Sequence, residues 1–393
     1  MALTSASDDK GAVAQLGMHS RKSRETFAIS TCLLQSWHME SLLPKVNEAL
    51  ATVPGLDVRC DVGSFHGAIK RISMRQGFIA AHDALSAAAR LASSAAEMTT
   101  SASSASSTRV KCGNVDAQLG LGLESAQQIA SSQNEVGESV LLQLTTKSGM
   151  NHRERRAFIK VVEQLQENLV VAGIVHSEHS KRSTAAPADR SEVLHGQGHV
   201  FVALPGLAFK VSPASFLQVN NAQCAAMYSA IQQAADLRPE DSVLDLCCGA
   251  GTISVWLSRY CADVTGVDIS KSAIDDAREN AQLNGVHNAR FYVRDLSRVS
   301  DIEACASLFA KADVVVVDPA RAGLSAHALQ MLAMSRARTI VYASCWAQSF
   351  CRDLRDLQRH GWECLSVVGI DMFPQTDHCE TVAKLVQTGS ECA

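Results

Sequence analysis

Ser242-Val243-Leu244-Asp245-Leu246-Cys247-Cys248-Gly249-Ala250-Gly251-Thr252 decides how the rest of this chain is read. Its first five residues have the pattern of a buried strand. The glycines that follow let the backbone turn tightly and let a ligand come close to it. The next apolar run, 263–268, ends in Asp268, 23 positions beyond Asp245 (268 minus 245). Helical spacing resumes over 272–284, with Gly285 as the cap. Residues 290–293, 314–317, 339–342, 364–370 and 381–386 supply further strands. Val314-Val315-Val316-Val317 has the unbroken apolar pattern of a strand buried on both faces. Strands alternating with helices predict a doubly wound, Rossmann-like α/β domain over 220–393.

Upstream, residues 26–219 read as a smaller α+β domain, with a tail over 1–25 before it. Residues 68–74 and 140–144 look like the two strands of one hairpin. Between them, about 80–137 reads as an insertion, rich in Ala and Ser up to Ser107. Such a stretch has little large apolar surface to set against its ordering entropy. A helix is therefore expected only around 87–96, and the run 101–107 is expected to be loose. Residues 42–51 and 155–169 show helical spacing. The second begins in a basic cluster, His152, Arg153, Arg155, Arg156 and Lys160, which reads either as a wet helix face or as an RNA contact.

The 393 residues are 47% hydrophobic and 19% charged, with formal net charge -4, which fits folded domains and excludes a uniformly basic surface. Any RNA contact must come from local patches. The thirteen cysteines are odd in number and form no Cys-x-x-Cys pair, which argues against zinc, an iron–sulfur cluster or a redox motif. A reducing intracellular compartment, cytosol or nucleus, is expected. Arg21, Lys22 and Arg24 keep a mitochondrial presequence as the alternative. The first ten residues lack the apolar run of a secretory signal, and no run approaches the roughly 20 apolar residues that cross a bilayer. No metal and no membrane are expected as partners, and a monomer is expected.

The loop over 245–252 differs from the three-glycine fingerprint that binds a pyrophosphate. Its spare acid, Asp245, disfavours a phosphate and suits an ammonium group, while Asp268 can hold two ribose hydroxyls. With Asp318-Pro319 further on, the combination favours S-adenosylmethionine; an NAD-type site and a plain strand–turn–helix are the alternatives. Gly249 and Gly251 form the cradle in this reading. Asp295 either faces the adenine or is a solvated loop acid.

Three segments follow that loop: Val317-Asp318-Pro319-Ala320-Arg321, Tyr342-Ala343-Ser344-Cys345, and 371–380, which ends in Glu380. Methyl transfer to oxygen or nitrogen needs no nucleophile from the enzyme, whereas transfer to a pyrimidine carbon does. Carbon 5 of uracil becomes nucleophilic only when a thiolate adds to carbon 6. A base must then remove the carbon 5 proton so that the thiol can leave. Cys345, just past the fifth strand on the edge where open α/β sheets place ligands, is the candidate nucleophile. Glu380 is the candidate base. Asp318 can bond the pyrimidine edge, and Arg321 can hold a phosphate or ring oxygen. By default a single cysteine is buried filler and a strand-opening glutamate an exposed charge; the neighbouring motifs single out these two. A Pro-Cys motif like that of RNA cytosine-5 enzymes is replaced here by Asp-Pro-Ala-Arg, so uracil is favoured.

These residues resemble the RNA uracil-5-methyltransferase family, most closely its eukaryotic tRNA branch. The resemblance is carried by residues 208–220, the glycine loop, 318–324, Ser344-Cys345 and 373–380. It implies a class I methyltransferase domain in which Gln218, Asp268 and Asp318 contact the donor and Cys247 and Thr252 occupy contacting loop positions. It also implies Cys345 as nucleophile, Glu380 as proton acceptor and, as substrate, the T-loop uridine of tRNA (uridine 54). A base shielded in a stack must be everted before a thiol can reach it, and Phe216 is a plausible stacking wall, with a core role as the alternative. The chain departs from the family pattern at Ala320, at Cys247 and at Trp346, which stands where an Asn usually follows the nucleophile. The usual Tyr-Arg-x-Lys segment is not found. A ribosomal RNA uracil-5-methyltransferase and a catalytically impaired tRNA-binding or tRNA-folding protein are the competing readings.

Overall fold

In the computed structural model, the structure describes residues 2–8, 11–19, 26–28, 42, 44–46, 48–50, 60–61, 64–65, 69–78, 81–101, 109–112, 115–119, 138–168, 171–180, 188–213, 215–218, 220–374, 376 and 378–388. The chain divides into a smaller unit, Met1–Asp83 with Val136–Val202 and Ser212–Ala214, and a larger one, Ala84–Glu135 with Ala203–Val211 and Ser215–Ala393.

In the smaller unit, β1 (Ile69–Phe78) runs antiparallel to β2 (Glu138–Lys147), so the expected hairpin strands do pair across the insertion. β2 then pairs in parallel with β3 (Gly173–His179), and β3 antiparallel with β4 (Arg190–Gly196), after which β5 (Val200–Leu204) and β6 (Leu207–Val211) follow in the chain. Helix α2 (His152–Asn168) follows β2; the helix of the insertion, α1 (Ala81–Ser101), precedes it in the chain. Phe158, Val161 and Leu165 of α2 form a core with Leu142 and Leu144 of β2 and with Val46 and Leu50 of the helical residues within 42–50. Within the expected tail, Ala2–Asp8 and Gly11–His19 pair as antiparallel strands.

The larger unit is built on β7 (Ser242–Leu246), β8 (Asp263–Asp268), β9 (Ala289–Val293), β10 (Val314–Val317), β11 (Thr339–Ser344), β12 (Trp362–Ile370) and β13 (Glu380–Gln387). They lie in the order β9-β8-β7-β10-β11-β13-β12. The first five are parallel and β13 is antiparallel to both neighbours. Strand order reverses between β7 and β10, the crevice in which such sheets bind ligands. All four valines of β10 are fully buried, and each contributes about 1.5–3 kcal/mol over remaining in water. Helix α3 (Asn221–Ala235) opens on Asn220, whose side chain accepts from Gln223 N; α4 (Thr252–Leu257), α5 (Lys271–Leu283), α6 (Ala326–Ala333) and α7 (Ala347–Arg359) follow.

Two boundaries differ from the sequence reading. The cut at 219/220 misses strand Leu207–Val211, which groups with the larger unit. The reason is a pair of side chains on and just after α5: Asn280 Oδ1 accepts from Lys210 N at 2.7 Å, and Asn284 bonds Ala208 N at 2.9 Å and Ala208 O at 2.7 Å. The insertion is also more ordered than expected. α1 extends well beyond 87–96, as the high helix propensity of alanine permits, and Val115–Leu119 pairs in parallel with β12, with Arg109–Cys112 antiparallel outside it. Residues 102–107, expected to be loose, lie outside the described residues.

Candidate active site

The loop after β7 is held in left-handed conformations, with φ of 63° at Cys247, 54° at Gly249 and 74° at Gly251. At Gly251 a Cβ would sit 2.8 Å from Ala277 Cβ and 2.9 Å from Phe291 Cε1, so only glycine fits. At Gly249 a Cβ would meet nothing within 4 Å, which leaves open space above the backbone. Asn280 Nδ2 braces the loop by donating to Ala250 O at 3.0 Å. Asp268, at the end of β8, accepts from Gly249 N at 3.0 Å and from Ser270 N at 2.8 Å. The first residue of α4, Thr252, shares a 2.6 Å hydrogen bond with the Tyr228 hydroxyl.

Asp245 is wholly buried. Its Oδ2 accepts from Ser254 Oγ at 2.5 Å, but its Oδ1 has no partner. Burial pushes this carboxyl up to about 7; the bonds to Ser254 oppose the rise and the charges of Asp318 and Asp268 add to it. Gln218, also buried, leaves its Oε1 without a partner. Two orphaned acceptors, a diol-sized carboxylate at Asp268 and open space over Gly249 fit a ligand that brings positive charge and hydrogen-bond donors. These are the groups S-adenosylmethionine would present, and a pyrophosphate would not. At Cys247, burial, followed by the charges of Asp268, Asp318 and Asp245, drives the thiol far up and away from the thiolate.

The thiol and carboxylate singled out by sequence meet at the neighbouring strand ends. β11 and β13 pair in antiparallel register, Ser344 opposite Thr381. One step beyond that pair stand Cys345 and Glu380, and Glu380 is itself paired with Ile370 of β12. Antiparallel partners lie about 4.5–5.5 Å apart at Cα; continued one step, this register brings the two residues together, and the Glu380 charge acts on the Cys345 thiol. Glu380 is 2% exposed with Oε2 unpartnered. Burial pushes its carboxyl up to about 7, with Asp318 adding to the rise and Arg321 opposing it. Asp318, just past β10, is pushed up to about 6 by burial. Half-buried Cys345 is also pushed up, by burial and by the charges of Glu380 and Asp318, while Arg321 pulls it back. The four groups therefore share one electrostatic neighbourhood.

Arg321 is exposed, with its guanidinium carbon 5.5 Å from the centre of the Trp346 ring. Phe216 stands apart: it is 65% exposed, not in the core, and makes no ring contact among the described residues. Asp295 accepts from Ser297 N and Oγ and pairs with Arg298, so it is engaged in its own turn. Sequence reasoning missed the brace beneath the Asp318–Leu324 loop. Fully buried Asp353 accepts from Tyr342 Oη at 2.6 Å and from Leu324 N at 2.9 Å. A signal was present: Asp353 falls between Phe350 and Leu357 at helical spacing, on the apolar stripe of α7.

Residues 197–388 match the family model described as tRNA (uracil-5-)-methyltransferase. The chain is similar to an uncharacterized RNA methyltransferase of Chlorobaculum tepidum, 36% identical over 210 residues, 53% of this chain and 44% of that protein. Another, from Halalkalibacterium halodurans, is 33% identical over 258 residues, 65% of this chain and 55% of that one. The chain thus spans about half the length of the curated relatives it matches. Among solved structures it resembles the Pyrococcus abyssi tRNA (uracil-54, C5)-methyltransferase in complex with S-adenosyl-L-homocysteine. The TM-score is 0.59 at 21% identity, over 98% of this chain and 75% of that one, a likeness of fold.

Proposed function

We propose, since residues 197–388 match the tRNA (uracil-5-)-methyltransferase family model, that this chain belongs to that family and methylates carbon 5 of a uridine in RNA, with S-adenosylmethionine as donor and the T-loop uridine of tRNA as target. The observation that carries this is the register of β11 on β13, which sets a half-buried thiol beside a buried carboxylate at the strand ends. When bound, the donor supplies an electrophilic methyl group. Gln218, Asp245, Asp268 and Asp318 would hold it, Asp245 by accepting from its ammonium and Asp268 from its ribose.

The chain's own residues then perform an addition and an elimination. Cys345 Sγ, as thiolate, adds to carbon 6 of the everted uracil, and the electron pair of the 5,6 double bond moves toward carbon 5 and the ring carbonyl. Once carbon 5 carries the methyl group, Glu380 takes its proton, the double bond reforms and the sulfur leaves carbon 6. A carboxyl pushed up to about 7 suits this role, because it is basic enough to accept a carbon-bound proton and still ionised near neutrality. Arg321 offsets negative charge beside the thiol. Arg153, Arg155, Arg156 and Lys160 of α2 support an RNA substrate: all are exposed, and among the described residues none has an ion-pair partner.

The test is incubation with labelled donor and unmodified tRNA, with ribosomal RNA fragments in parallel. Label should appear in 5-methyluridine of the tRNA, rise with pH through about 7 as Glu380 loses its proton, and vanish in Cys345→Ala. Glu380→Gln should accumulate a covalent protein–RNA adduct. Label that persists in Cys345→Ala would overturn the mechanism, and label confined to ribosomal RNA would overturn the choice of substrate.

A further inference from the structure

Arg321 is a long, exposed side chain with two carboxylates in its electrostatic neighbourhood, yet among the described residues none lies within ion-pair distance of it. Its backbone is well held, because Arg352 Nη2 donates to Ala322 O at 2.8 Å and Asp353 fixes Leu324 N. Among the described residues, the guanidinium itself is held by stacking on the indole of Trp346 alone.

That indole is in turn fixed on several sides. Trp346 N donates to Ser344 Oγ at 3.1 Å, and Ser349 Oγ donates to Trp346 O at 3.0 Å. Its ring lies 6.2 Å from that of His378, which lies 6.3 Å from Phe373 in an edge-on contact. The row Arg321, Trp346, His378, Phe373 thus includes Trp346, the chain neighbour of Cys345.

We propose that Trp346 is a positioning residue, which clamps the Arg321 guanidinium beside Cys345 so that its charge offsets Asp318 and Glu380 and favours the thiolate. The inference concerns the thiol assigned as nucleophile above and rests on that reading for its purpose. Among the described residues, the charged and titratable groups around the thiol are Asp318 and Arg321 from the loop after β10, Glu380 from β13 and, across the indole, His378. Arg321 carries a permanent positive charge, and a guanidinium free to swing into water would be screened from the sulfur. The arrangement also accounts for an indole at a position where relatives were expected to carry an asparagine. A flat aromatic face can hold a guanidinium with no carboxylate that would neutralise it.

The experiment reads the pH midpoint of Cys345 alkylation by iodoacetamide, resolved by peptide fragmentation, with exposed Cys351 as internal reference. The midpoint, unlike the rate, does not move with mere access to the sulfur. Trp346→Ala should shift it upward by roughly 0.4–0.7 pH unit, the size of an exposed cation–π contact expressed as a pKa change. Arg321→Gln should shift it at least as far, Trp346→Phe should retain most of the wild-type value, and the double variant should match Arg321→Gln. An unmoved midpoint in Trp346→Ala, or a Trp346→Ala effect undiminished in the Arg321→Gln background, would overturn the clamp. No RNA or donor is present, so a chain that methylates nothing can still pass this test, and an active methyltransferase can still fail it.

Discussion

Replacing Asp245 by Asn removes the one carboxyl in the glycine loop that is wholly buried with an unpartnered oxygen. Folding raises its affinity for a proton, from an ordinary value near 3.9 to about 7. Between those limits the folded chain holds more protons than the unfolded chain, so stability falls as pH rises through about 4 to 7 and levels off above. Three pH units correspond to about 4 kcal/mol in all, of which about 3 kcal/mol is lost between pH 5 and pH 8. Asn keeps the shape and the bond from Ser254 Oγ but cannot ionise. The wild type should therefore lose about 3 kcal/mol more than Asp245→Asn over that range. Asp318 and Glu380 are raised for similar reasons and act in both proteins, so the difference isolates position 245. Urea unfolding at a series of pH values, followed by the fluorescence of Trp256, Trp346 and Trp362 of the larger unit, measures it. Parallel curves, or a wild type that gains on the variant as pH rises, would refute the assignment of a proton to Asp245 in the ligand-free protein.

Two further expectations concern the loop and the RNA contact. Gly251→Ala must accept both a left-handed φ and contacts of 2.8–2.9 Å with Ala277 and Phe291, costing about 2–4 kcal/mol. Gly249→Ala meets no atom and should cost about 1 kcal/mol while abolishing the thermal shift given by S-adenosylhomocysteine; a large shift surviving in Gly249→Ala would place the donor elsewhere. Neutralising Arg153, Arg155, Arg156 and Lys160 with Gln should weaken tRNA binding and flatten its salt dependence by about 0.7–0.9 in log–log slope per lost phosphate contact. It should not destabilise α2, because cations near a helix N-terminus oppose the helix dipole; filter binding at several salt concentrations decides.

The larger unit was legible because local pattern and tertiary role agree there. The valines of β10 read as doubly buried and are, and Cys345 was expected just past the fifth strand and lies just past β11. What escaped depends on residues distant in sequence. Nothing in 207–211 announces that Asn280 and Asn284, some 70 positions on, will hold its backbone. Val115–Leu119 is short, and its place on the edge of β12 is set by an open row of β12 hydrogen-bonding groups rather than by its own composition. Asp353 was legible in principle, since a carboxylate on an apolar stripe needs a partner to be buried, but its partners lie on another strand and loop.

The charge balance of the site separates the two ligand classes that the loop sequence alone left open. Asp245, Asp268, Asp318 and Glu380 share a sheet edge on which, among the described residues, Arg321 opposes the rise of Glu380, and the charges of Asp268 and Asp318 help to raise Asp245. A pyrophosphate over Gly249 would add negative charge to that group, at about 3 kcal/mol for each carboxylate within about 6 Å at an effective dielectric near 20. A donor carrying an ammonium and a sulfonium has the opposite sign in every one of those terms, and it would let Asp245 ionise instead of holding a proton. Donor affinity should therefore rise with pH through about 7 in the wild type, and more weakly in Asp245→Asn, where Asp318, pushed up to about 6, is left to ionise on binding. Calorimetric titration with S-adenosylhomocysteine, whose ammonium is retained, tests the Asp245 part of this argument. Equal pH dependence in the two proteins would mean that the ammonium is held by some other group.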